Sequence, residues 1–117
     1  MQETLEDKLV IAGKILVAEG LDDHVRGHIT VRSPDDPNRI LMKPQTIGME
    51  EMTRDNITVV DIEGAKISGP LPRHSEVFIH TEIMRARPEI HSVIHVHPLH
   101  AIVFTSLGKP LLPISQE

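Results

Sequence analysis

His95 and His97 have the type and spacing for shared chemistry. The run Ser92-Val93-Ile94-His95-Val96-His97 reads as a β-strand, in which positions i and i+2 lie on one face. Val93, His95 and His97 would then share a face, with Ile94 and Val96 turned the other way into a core. The two imidazoles would stand about 7 Å apart at their roots, close enough to lean together onto one divalent cation of the zinc type. Against this, eight histidines in 117 residues produce close pairs by chance, and a buried histidine often serves only as a hydrogen-bonded core residue.

A second chemical group precedes that strand. Glu76 falls in the first turn of a helix expected over about residues 75–87, where a carboxylate complements the helix dipole. The same position opens toward the metal-bearing edge of a sheet. Glu76 and His80 are also spaced i, i+4 on one helix face, a pattern that suits a shared metal or an exposed Glu–His pair.

Composition narrows the classes of function. A length of 117 residues fits one small domain. Two Phe, with no Trp and no Tyr, leave little for base stacking, and a net charge of −5 without a basic cluster excludes an electrostatic nucleic-acid footprint. With no cysteine there is neither disulfide nor thiolate ligand, so metal ligands must be histidine, carboxylate and water. The acidic segment Met1-Gln2-Glu3-Thr4-Leu5-Glu6-Asp7 is unlike a signal peptide, and no apolar run reaches membrane-spanning length. The expectation is a cytoplasmic protein without membrane or nucleic-acid partners.

These groups need a scaffold. Leu5, Leu9, Ala12 and Leu16 recur at helical spacing behind Thr4 as N-cap, with Gly20 as the stop. A polar loop, Asp22 to His28, leads into a strand over Ile29 to Arg32, and turn residues from Ser33 to Asn38 return it as a strand over Arg39 to Lys43. A loop from Pro44 to Met52 precedes a second hairpin, Ile57 to Ile62 and Lys66 to Gly69, turned at Glu63-Gly64. After Pro70-Leu71-Pro72 come the helix carrying Glu76, the histidine strand, a helix over Pro98 to Leu107, and an extended segment from Leu111 to Ile114. The fold class is α/β, with an antiparallel-rich central sheet flanked by helices. No glycine-rich phosphate loop is present.

The blocks Gly27-His28-Ile29-Thr30-Val31-Arg32, Glu50-Glu51-Met52-Thr53, Val59 to Gly64, Pro72-Arg73-His74-Ser75-Glu76-Val77-Phe78-Ile79-His80, Arg85 to Glu89 and Val93 to His97 together resemble the class II aldolase/adducin family, which includes fuculose- and ribulose-phosphate aldolases. The resemblance spans nearly the whole chain. It implies one domain over residues 1–117 with an α/β/α fold lacking its C-terminal part, and a divalent metal, usually zinc, held by three histidines. His95 and His97 would be two of these, the third lying beyond residue 117. It also implies that Glu76 is the catalytic acid/base and that the protein is a homo-oligomer, a tetramer with sites where subunits meet.

Departures from the family pattern bear on substrate. Where the sugar-phosphate members carry Asn, Gly and a serine pair around phosphate, this chain has His28, Thr46 and His74-Ser75. With Arg73, these form the expected substrate-binding set, and a carboxylate is as compatible with them as a phosphate. The expected function is a metal-dependent lyase acting on a small-molecule substrate, a hydroxy acid or a sugar, through an enolate or enediolate. The alternatives are an adducin-like interaction module and an inactive truncated fragment. His24, His91 and His100 receive no site role.

Overall fold

Reciprocal capping opens the first helix. In the computed structural model, which describes residues 3–115, the Asp7 amide donates to the Thr4 hydroxyl at 3.2 Å and the Thr4 amide donates to the Asp7 carboxylate at 2.9 Å. Helix α1, Leu5–Ala18, follows, and Gly20 beyond it takes φ +70°, the left-handed conformation expected of a helix stop.

Five short strands form one sheet: β1 (His28–Arg32), β2 (Ile40–Met42), β3 (Thr58–Val60), β4 (Lys66–Ser68) and β5 (Ser92–His95). Their order is β4-β3-β2-β1-β5, and every neighbouring pair is antiparallel. Helix α2, Val77–Ala86, and helix α3, Leu99–Thr105, complete the regular elements, with a 3-10 turn, Met49–Glu51, inside the expected loop. Among the described residues, no helix is long and apolar enough to cross a membrane.

Alternation along the strands builds two cores. Ile29, Leu41 and Val59 pack with Leu9 of α1 and with Met49, Met52 and Ile57. Ile40, Met42, Val60 and Val93 pack with Val77 and Met84 of α2. Each such side chain contributes roughly 1.5–3 kcal/mol on burial, so the helices are held on opposite faces and the α/β/α layering follows. On the α2 side, β1 presents His28, Thr30 and Arg32, all buried. Arg32 Nη2 donates to Met84 O at 2.6 Å, satisfying a carbonyl at the C-terminal end of α2 where positive charge is favourable.

The histidine strand is shorter than its pattern suggests. β5 ends at His95, leaving Val96 and His97 outside the sheet. Its last register partner, His28, is also the first residue of β1, so β1 offers no strand residue beyond it, and Pro98, which has no N–H, cannot extend the ladder past His97. The expected inward side is also reversed at one position. Val93 is buried in the α2-side core while Ile94 is 50% exposed, because β5 is the edge strand.

Candidate active site

Register brings the first two histidines together. His28 opens β1 and pairs with His95 of β5, so their imidazoles lie on one face and stack with centroids 4.7 Å apart and planes within 9°. Glu76 stands at the N-cap of α2 and His80 one turn further along. Both reach the His28 ring from that helix. His28 Nε2 lies 2.9 Å from Glu76 Oε2, and His28 Nδ1 lies 2.5 Å from His80 Nε2. The chain continues from His80 Nδ1 to Thr30 Oγ1 at 2.7 Å.

Burial decides the protonation of this chain. Desolvation pushes His80 down to about 3 and holds His28 below the ordinary imidazole value, so both rings are neutral near pH 7. One direction of donation then satisfies every nitrogen. Thr30 O–H donates to His80 Nδ1, His80 Nε2–H donates to His28 Nδ1, and His28 Nε2–H donates to the Glu76 carboxylate. That last bond is the main cause of the lowered Glu76 pKa. The Glu76 side chain is half exposed, so its carboxylate is held by a buried donor yet open to solvent.

His95 and His97 meet at their ring tips, with Nε2 2.9 Å from Nε2. His97 Nδ1 lies 2.9 Å from Asp23 Oδ2, and a carboxylate there accepts the Nδ1–H and leaves the Nε2 lone pair free. A hydrogen bond from His97 is the largest cause of the lowered Asp23 pKa. Two imidazole nitrogens converging on one point, with a carboxylate fixing one ring, fit the donor set and outer partners of a zinc-type ion.

A second grouping is also compact, since His28, His74 and Glu76 place one ligand atom each within 4.8 Å of one another. Two of its members are committed elsewhere. His74 Nδ1 accepts the Glu76 amide at 3.2 Å, and the ring also has a backbone hydrogen bond with Arg26. Both His28 nitrogens are engaged as described. This grouping therefore orients Glu76, and burial, pushing His74 down to about 4, keeps that ring neutral.

The remaining expected positions lie around the entrance to α2. Arg73 Nη1 donates to His74 O at 3.0 Å and its guanidinium sits 5.6 Å from the Phe78 ring centroid. Ser75 is exposed beside it. Thr46 is exposed in a turn that the Gln45 amide ties to Pro72 O at 3.1 Å. The expected set is thus split, with His28, His74, Glu76, His95 and His97 in one cluster and Thr46, Arg73 and Ser75 in the segments near the start of α2. His80, left open as a metal bridge, has both nitrogens in the internal chain.

Three site residues carry no signal in the sequence pattern. Asp23 lies in a polar loop, Thr30 alternates as a strand residue should, and Lys43 is a strand-end lysine without an obvious task. Lys43 is fully buried, and its ammonium donates to Val25 O. Burial lowers its pKa to about 8.

The comparisons agree with this architecture. Residues 7–117 match the family described as Class II Aldolase and Adducin N-terminal domain, and the chain belongs to that family. It is 29% identical over 116 residues to a 3,4-dihydroxyphthalate decarboxylase of Arthrobacter keyseri, covering 92% of this chain and 46% of that protein. It is 32% identical over 97 residues to a 5-methylthioribulose-1-phosphate/5-deoxyribulose-1-phosphate aldolase of Escherichia coli, covering 83% of this chain and 44% of the relative. Among solved structures, an L-fuculose 1-phosphate aldolase from Glaciozyma antarctica superimposes with a TM-score of 0.83 at 35% identity, covering 92% of this chain and 45% of that one. The chain thus spans slightly under half the length of these relatives.

Proposed function

We propose that the protein is a divalent-metal-dependent lyase that cleaves a carbon–carbon bond next to a carbonyl in a small oxygenated substrate, with zinc as the metal. The observation that carries this reading is the continuous contact from Glu76 through His28 and His95 to His97, which joins an acid/base carboxylate to two metal-type imidazoles. A noncatalytic module has no use for that arrangement. His95 and His97 would hold the cation, completed by a third imidazole from outside these residues. Bound there, it supplies Lewis-acid stabilisation of an enolate oxygen, worth several kcal/mol.

The chain's own residues handle the proton. In aldol cleavage a hydroxyl loses its proton and the pair from the broken bond becomes an enediolate; in decarboxylation the pair left behind by carbon dioxide becomes an enolate. Either anion is quenched by a proton returned to carbon. Glu76 is the proton carrier, half open to substrate and held in place by His28 Nε2–H. Arg73 and Ser75, with Thr46 on the facing turn, would receive the substrate's anionic group.

A hydroxy acid or dihydroxy aromatic acid is the favoured substrate. Imidazole stands at His28 and His74 where the phosphate-binding pattern has Asn and Ser, and dihydroxyphthalate decarboxylases are among the relatives. The test is turnover of the full-length protein on hydroxy acids, dihydroxy aromatic acids and ketose phosphates. On the best substrate, Glu76→Gln should keep the fold and lower the rate by roughly 10²–10⁴-fold. A wild-type rate in that variant removes Glu76 from the mechanism, and no turnover of any class favours the interaction module or an inert fragment. Light scattering on the same preparation should give a tetramer, and a fully active monomer would reject that assembly.

A further inference from the structure

The loop between α1 and β1 is held more firmly than a connection requires. Its Asp23 C=O accepts the Arg26 amide at 2.9 Å, closing a turn in which His24 takes φ +52°. His24 is the only described residue other than glycine with a positive φ, a conformation that costs of order 1 kcal/mol or more and persists where surrounding structure enforces it. The enforcement is visible: the buried Lys43 ammonium donates to Val25 O, and His74 has its backbone hydrogen bond with Arg26. Two buried side chains from separate parts of the fold thus pin this one loop.

The loop delivers a carboxylate. Asp23 Oδ2 stands 2.9 Å from His97 Nδ1, on the side of the ring away from the Nε2 that faces His95. His97 lies beyond the end of β5, so no sheet hydrogen bonds fix its position. Without the Asp23 contact its ring would be free to turn or to carry its proton on Nε2, where it would oppose a cation.

We propose that Asp23 is a positioning residue that holds His97 in the Nδ1–H tautomer, with its Nε2 lone pair presented to the metal, and that the strained turn at His24 serves to place it. This rests on the metal reading above. Asp23 touches neither substrate nor cation; it acts through His97 alone. Arg26 Nη1 lies 3.7 Å from the same carboxylate but is largely exposed, so it contributes little.

The test uses full-length protein, with Asp23→Ala removing the acceptor and Asp22→Ala removing a neighbouring charge as control. In metal-free protein, nitrogen-15 NMR of the imidazoles should show His97 protonated at Nδ1 in wild type and in Asp22→Ala, and a tautomer mixture in Asp23→Ala. Zinc titration should show 10–100-fold weaker binding for Asp23→Ala and wild-type binding for Asp22→Ala. Circular dichroism identifies any loss of fold, in which case Asp23→Leu, similar in size but without a hydrogen-bond acceptor, takes the place of Asp23→Ala. An unchanged tautomer or an unchanged zinc affinity in a folded Asp23 variant overturns the proposal. Failure of wild type to bind zinc at all contradicts the metal reading instead, and the tautomer measurement still decides the role of Asp23.

Discussion

Single residues in this site are governed by burial. His74 and His80 sit at about 4 and about 3, against roughly 6.5 in an unfolded chain. Between these values the unfolded state binds more protons than the folded one, so stability is complete above about pH 6.5 and falls as pH drops toward 4. Each buried imidazole contributes a slope of roughly 1 kcal/mol per pH unit in that window. Urea unfolding at pH 7.5, 6 and 5 should show the midpoint falling with pH, and His80→Gln should show a shallower fall from a lower starting stability. A flat wild-type profile would mean that these rings are not buried as described. Which residues gather at the candidate site was partly legible, because two-residue spacing marks His95 and His97 and a helix start marks Glu76. Asp23 and Thr30 were not legible, since their roles come from partners 74 and 50 residues away, and no local pattern encodes such a distance.

At the scale of elements, turn chemistry and alternation carry most of the information. Thr4, Gly20 and the two hairpins stand where the sequence signals put them, and the antiparallel sheet follows. Alternation identifies the apolar side of β1 but does not disclose that its polar side, His28, Thr30 and Arg32, is buried under α2 as well. The extent of β5 was overestimated for a related reason: strand propensity continues through His97, whereas pairing stops where β1 begins. Gly69 gives a direct check on the second hairpin. It holds φ +109°, and an added Cβ would stand 2.5 Å from Ile57 O and 2.9 Å from Thr58 Cα, both backbone atoms that have little room to yield. Gly69→Ala should therefore cost about 1–3 kcal/mol or more in thermal unfolding. Gly108→Ala, also at positive φ but in open space, should cost only the roughly 1–2 kcal/mol of the left-handed backbone itself, less than Gly69→Ala. Equal small losses in both would contradict the packing of β3 against the turn at Gly69.

The whole molecule supplies a layered scaffold, the converging imidazoles of His95 and His97 and the Glu76 carboxylate, in a chain that spans slightly under half the length of its relatives. Helix α3 has no buried residue. Two imidazoles alone would leave a cation largely hydrated. Family membership was legible because several short blocks keep their order and spacing along one chain, whereas substrate class depends on the few positions where the blocks differ. If His95 and His97 hold the proposed catalytic cation, metal content is the quantity that must follow them. Elemental analysis of purified full-length protein should find about one zinc-like ion per subunit, lost when His95 and His97 are both replaced by alanine in a protein that remains folded. Full occupancy in that double variant, or none in wild type supplied with zinc, would contradict the account.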